Sequence, residues 1–122
     1  MAVRGIRGAI TVDSNTVDEI VDATKQLIEE IVAKNELKPE DIASVIFTTT
    51  EDLNAVFPAR GARDFAGWEY VPLMCAQEIP VPGSLPKCIR LMMHVNTEKS
   101  GKEIHHVFLR DAVKLRPDLT NR

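Results

Sequence analysis

Two arginines stand inside segments that otherwise read as strands. Arg7 lies in VRGIRGAITV (residues 3–12) and Arg90 in KCIRLMMHV (residues 87–95). A guanidinium is always charged, and its planar fork matches a carboxylate in geometry as well as charge. Taken singly, such an arginine is an edge residue or half of a structural ion pair as readily as a ligand. Two of them, with Arg60 and Arg63 one helical turn apart in VFPARGARDF, point to a site for an anionic metabolite. Glu78, close behind Cys75, is the carboxylate that could face this set, although alone it reads as a solvated acid. Strand alternation puts Cys75 and Glu78 on opposite faces. Their convergence on one ligand therefore needs a bulge or an irregular strand end, for which Pro80 and Pro82 give a reason.

Other chemistries lack their residues. No G-x-S-x-G, phosphate-binding glycine loop or H-E-x-x-H occurs. His94, His105 and His106 are the only histidines, and the last two, being adjacent, would point to opposite faces of a strand, so no metal site is expected. Cys75 has no histidine close in sequence to activate it and reads as a packed thiol. Cys75 and Cys88 form neither a metal pair nor a disulfide framework, which suits reduced thiols in the cytosol.

The elements that must position these residues follow from periodicity. Within residues 3–12, Ile6, Gly8, Ile10 and Val12 share one face, and Gly5, Arg7, Ala9 and Thr11 the other, so Arg7 stands among small neighbours. Thr16 and Glu19 form a capping box. Val17, Ile20, Val21, Thr24, Leu27, Ile28 and Ile31 follow at helical spacing, predicting a long helix that ends near Asn35 as a left-handed cap. Residues 42–50 read as a buried strand and 56–65 as a shorter helix, weakened at Gly61 by about 1 kcal/mol. Strands are predicted at 70–78, 87–95 and 103–109, with an irregular IPVPGSLP between the first two. In the 87–95 strand, Ile89, Leu91, Met93 and Val95 share one face, and Cys88, Arg90 and Met92 the other. Residues 111–122 read as a helical turn running into a polar, mobile tail.

This order predicts one α+β domain over residues 1–122, with one long and one short helix on one face of a sheet. Several strands carry apolar residues on both sides, so the face without helices needs cover, which copies of the same chain could supply. With 15 basic and 18 acidic residues the net charge is −3, which argues against a nucleic-acid binder. Eleven acidic residues lie between Asp13 and Asp52 while most arginines lie elsewhere, so a cationic pocket fits inside an acidic molecule. No apolar run approaches the ~20 residues that span a bilayer, and no signal region is evident. A cytoplasmic protein without membrane contact is expected.

The strings VRGIRGAITV, AVFPARGARDFAGWEYVPLMCAQE, KCIRLMMHV and KLRPDL resemble AroH-type chorismate mutases across nearly the whole chain. The resemblance implies a homotrimer whose mixed sheets pack into a pseudo-α/β barrel, with active sites at subunit interfaces and no cofactor. It implies conversion of chorismate to prephenate in phenylalanine and tyrosine biosynthesis. By position, Arg7 falls on an arginine that binds a substrate carboxylate, and Arg90 on one that reaches the ether oxygen of the breaking bond. Glu78 and the Cys75 backbone or thiol fall on groups that hold the ring hydroxyl. Phe57, Ala59, Leu73 and Met74 fall on the pocket wall, and Arg63, Leu115 and Arg116 on outer or tail positions that close the site. Three positions depart from the family pattern. Arg60 replaces a common lysine, Met74 a smaller polar residue, and Phe108 a tyrosine that donates to a substrate carboxylate. The alternatives are an imine deaminase of the RidA type and a trimeric metabolite-binding protein without turnover.

Overall fold

A computed structural model describes residues 1–115. Five strands, β1 (Ala2–Thr11), β2 (Ile42–Thr49), β3 (Leu73–Gln77), β4 (Cys88–Thr97) and β5 (Val107–Leu109), form one mixed sheet in the order β3-β2-β4-β1-β5. β4 is antiparallel to β1 and β2, while β5 is parallel to β1 and β3 to β2. Among the described residues a single α-helix, α1 (Val17–Asn35), packs on one face, giving the α+β class expected.

α1 begins where the sequence says it should. The Thr16 side chain accepts the Glu19 backbone N–H at 3.2 Å, and Asp18 and Glu19 sit in the first turn near the positive end of the helix dipole. Its buried stripe is Ile20, Ala23, Thr24, Leu27, Ile28 and Ile31. Each large aliphatic side chain there stabilises the fold by about 1.5–3 kcal/mol. Close packing requires Gly8 of β1: a Cβ at that position would lie 2.7 Å from Ile31 Cδ1. The helix stop differs from expectation. Asn35 is the last helical residue and Glu36 takes the left-handed conformation, at φ 54°. Asn35 is held in the helix because its buried side chain donates to the Ile31 and His105 carbonyls and accepts the His105 N–H. It ties the end of α1 to the approach to β5.

The short helix predicted at 56–65 does not form. A 3₁₀ helix at Pro58–Gly61 is followed by further turns whose backbone bonds span three residues, ending in a second 3₁₀ helix at Trp68–Tyr70. Ala59, Ala62, Phe65, Trp68 and Val71 recur every third residue and face inward, a period that suits a 3₁₀ path and not an α-helix. Gly61 lets this segment press on α1, since a Cβ there would lie 2.9 Å from the Val21 carbonyl oxygen.

The last predicted strand is also shorter. Gly101–Glu103 is a 3₁₀ turn and only Val107–Leu109 pairs with β1. The predicted strand at 70–78 begins later, at Leu73, after the Trp68–Tyr70 turn. The helical turn expected at the start of the tail is present as a 3₁₀ helix at Arg110–Lys114, with Ala112 buried. Arg116 lies outside the described residues.

The main apolar cluster joins α1 to one sheet face through Ile6, Ile10, Val45, Phe47, Ile89, Leu91, Met93 and Val95. A smaller cluster of Ala9, Cys88, Phe108 and Ala112 lies on the opposite face, with Leu85 and Leu115 packed against it. The rest of that face stays open. Among the described residues no helix is long and apolar enough to cross a membrane.

Candidate functional site on the open face of the sheet

Strand register decides which candidates meet. Across the open face, one row runs Ala76, Thr48, Arg90, Ala9, Phe108 from β3 to β5. The adjacent row runs Met74, Ile46, Met92, Arg7. Arg90 and Arg7 therefore sit diagonally on neighbouring strands, within reach of each other's ligands. Ala9 opposite Arg90, and Gly5 and Ala9 flanking Arg7, leave space that larger side chains would fill.

A recess of about 220 Å³ opens here, lined chiefly by Arg7, Ile46, Thr48, Glu78, Arg90 and Phe108. Arg90 Nε lies 3.8 Å from Glu78 Oε2, close enough for an ion pair but beyond the 2.7–2.9 Å of a charge-assisted hydrogen bond. That Nε is buried and has no hydrogen-bond acceptor among the described residues. Leaving a buried donor unsatisfied costs about 1–3 kcal/mol. A ligand oxygen in the recess would recover that energy. Glu78 instead accepts a hydrogen bond from Thr48 Oγ1, and its backbone N–H donates to the Thr49 carbonyl at 2.8 Å.

Arg7 lies with its guanidinium carbon 5.8 Å from the centre of the Phe108 ring, a cation–π distance. Its backbone N–H donates to His106 Nδ1 at 2.9 Å, which anchors β1 just before β5 begins. Phe108, where the resemblance led one to expect a hydroxyl, is buried beside Ala9 and supplies only its ring face. Leu115 packs against the same cluster.

The remaining candidates fall elsewhere. Alternation holds to the end of β3: Cys75 pairs with buried Phe47 and packs towards the main core, while Glu78 turns to the open face. The bulge that would bring their side chains together is absent. Cys75 lines two recesses on the other side, along the outer edge of β3. The first, of about 580 Å³, also involves Phe57, Ala59, Arg63, Trp68 and Leu73. The second, of about 700 Å³, is shared with Phe57. Phe57 and Met74 are 69% and 65% exposed, far more than a completed pocket wall would leave them. Arg60 is exposed and lines none of these three recesses. Cys75, Phe57, Ala59, Arg63 and Leu73 thus lie apart from the Arg7, Glu78 and Arg90 recess, Met74 stays on the open face, and Arg60 joins neither group.

Neither cysteine is arranged as a nucleophile. Burial pushes the Cys88 thiol up, partly offset by the Arg90 guanidinium, so it stays protonated and packed. His94 bonds Ser44 Oγ at 3.1 Å, and among the described residues no three of His, Cys, Asp and Glu converge on a metal-sized space. Residue-by-residue reading missed Thr48, Ile46 and Met92 as recess walls. The alternation in IASVIFTTT could have grouped Ser44, Ile46 and Thr48, but only register brings them beside Arg90.

Comparison with known proteins agrees with this fold throughout. The family described as chorismate mutase type I matches residues 3–119. Chorismate mutase AroH of Bacillus subtilis (strain 168) is 51% identical over 120 residues, covering 98% of this chain and 94% of that protein. Its counterpart from Thermus thermophilus is 50% identical over 118 residues, 96% of each. A solved chorismate mutase from Clostridium thermocellum superposes with a TM-score of 0.87 at 57% identity, over 89% of this chain and 96% of the other.

Proposed function

This chain belongs to the type I chorismate mutase family, and from that premise we propose how its open-face recess converts chorismate to prephenate in aromatic amino acid biosynthesis. The reaction is an intramolecular [3,3] shift. The ether C–O bond breaks as a C–C bond forms between the enolpyruvyl arm and the ring, and the electron pairs move within one molecule. No proton or group passes to the protein. The protein must therefore hold the flexible arm folded over the ring and stabilise charge that appears only as the bonds reorganise.

Arg7 grips a substrate carboxylate by its fork, with Phe108 backing the guanidinium. Arg90 Nε meets the ether oxygen as that oxygen gains negative charge. Glu78 faces the ring, where positive charge develops, and takes the ring hydroxyl. The observation that carries this reading is the buried Arg90 Nε, without an acceptor among the described residues and 3.8 Å from the Glu78 carboxylate that lines the recess.

The recess is smaller than the about 300–1,000 Å³ usual for ligand sites. Ile46 and Met92 leave apolar surface uncovered in its lining, and Met74 continues that row on β3. Both features support a homotrimer in which sheets pack open face inward into a pseudo-barrel. The recess of one subunit is then walled by Phe57, Ala59, Arg60, Arg63, Leu73, Met74 and Cys75 of the next, and closed by Leu115 and Arg116. A cytoplasmic location belongs to the same reading.

Co-expression tests the shared site. Arg90→Ala and Arg63→Ala subunits, each impaired alone, should regain chorismate turnover when mixed, because some interfaces then pair an intact Arg90 with an intact Arg63. Mixed trimers no faster than the average of the two parents would end the interface proposal.

A further inference from the structure

Thr48 lies between the two charged groups of the recess in a way the reaction can use. Glu78 follows β3 and Arg90 belongs to β4, with β2 between them. Strands are about 4.8 Å apart, so the Glu78 and Arg90 side chains together must span roughly 10 Å of sheet to meet. Thr48, directly opposite Arg90 in the β2–β4 ladder, stands at the midpoint. Its hydroxyl donates to Glu78 Oε2, the same oxygen that faces Arg90 Nε at 3.8 Å. One oxygen thus has two potential donors, and the hydroxyl holds it while the guanidinium does not. Arg90 Nε is left buried and, among the described residues, unbonded.

Building on the roles proposed above for Glu78 and Arg90, we infer that Thr48 is a positioning residue: its hydroxyl holds the Glu78 carboxylate short of full pairing with Arg90, so that the guanidinium stays available to the substrate. A carboxylate and a guanidinium left to themselves close to a 2.7–2.9 Å bond. That closure would satisfy Arg90 before the ether oxygen arrives and would draw Glu78 away from the ring. Thr48 touches neither reacting atom. It sets the spacing of the two groups that do.

Steady-state kinetics on the purified full-length protein test this. Thr48→Val removes the donor and keeps a branched side chain suited to a strand. It should lower kcat about tenfold, the scale of one hydrogen bond to a charged group. KM should stay within about threefold, because the loss falls on the transition state. Thr48→Ser restores the hydroxyl and should restore kcat to within about twofold. In the Glu78→Gln background Thr48→Val should cost nothing further, since its effect runs through that carboxylate. A crystal structure of Thr48→Val should show Glu78 hydrogen-bonded to Arg90 Nε. Unchanged kcat in Thr48→Val, where Glu78→Gln is itself impaired, overturns the inference alone. So does a tenfold loss repeated in full in the Glu78→Gln background. Wild-type kcat in Glu78→Gln overturns the proposed role of Glu78 and this inference with it.

Discussion

The two faces of the sheet draw on the same strands for different ends. Towards α1, Ile6, Ile10, Ile89, Met93, Val95, Val45 and Phe47 are all fully buried. Away from it, Arg7, Ile46, Thr48, Arg90 and Met92 remain partly exposed, and the recess there contains the buried Arg90 donor, which has no acceptor among the described residues. Because side chains alternate along a strand, residues one position apart answer to different demands. Ile89 and Leu91 hold the fold, and Arg90 between them is left for charge. On the proposed mechanism, stability and chemistry are separated across one backbone thickness.

That separation can be broken at either face. The largest effect is expected at Arg90: Arg90→Ala should lower kcat about 10²–10³-fold, as when an oxyanion donor is removed, with little change in Tm. Arg90→Lys keeps the charge but loses the fork and should stay badly impaired. Loss of chorismate absorbance measures both, and full activity in Arg90→Lys would refute the geometric role. Next comes Leu27→Ala on the opposite face. Emptying this fully buried position should cost about 2–5 kcal/mol. The cost should appear as a lower thermal midpoint with kcat per folded site preserved; a loss of kcat without a loss of Tm would show that the faces are not independent.

Cys75→Ser should retain activity within about threefold, as expected for a packed thiol without a basic partner. A folded but dead variant would return that sulfur to the chemistry. The smallest effect concerns pH and lies far from the recess. The Ser14 hydroxyl, followed by the backbone N–H groups of Asp13 and Ser14, holds the Glu19 carboxyl below its usual range. A carboxyl depressed on folding stabilises the protein fully above its unfolded pKa of about 4.3, and that contribution fades as pH falls through the lower folded value. Glu19→Gln should therefore lower Tm slightly near pH 7, with the gap to wild type closing as the pH drops below about 4. A gap independent of pH would exclude the ionised carboxylate as its source.

Much of this design is written locally. Alternation in residues 3–12 and 87–95 separates Ile6, Ile10, Ile89 and Leu91 from Arg7 and Arg90, because the strand period of two needs no knowledge of partners. The helix start at Thr16 and the apolar stripe after it are local for the same reason: capping and the 3.6-residue period act within a few residues. Where tertiary contacts intervene, local reading slips. Asn35 stays helical because His105 captures its side chain, and the segment after Val56 follows a three-residue period because it must lie flat against α1.

Identity is likewise legible in the chain, since long matched strings carry both fold and family. The meeting of Thr48, Glu78 and Arg90 is not. Thr48 and Arg90 face each other on two strands and Glu78 reaches them from just past the end of a third, in a register that hydrogen bonding between distant segments sets. The divergence of Cys75 from Glu78, by contrast, is what strand alternation alone implies, and no bulge reverses it. What the residues determined alone is which side chain faces which way. Which side chains become neighbours was decided by the order β3-β2-β4-β1-β5, because a strand specifies its own faces but not the strand beside it.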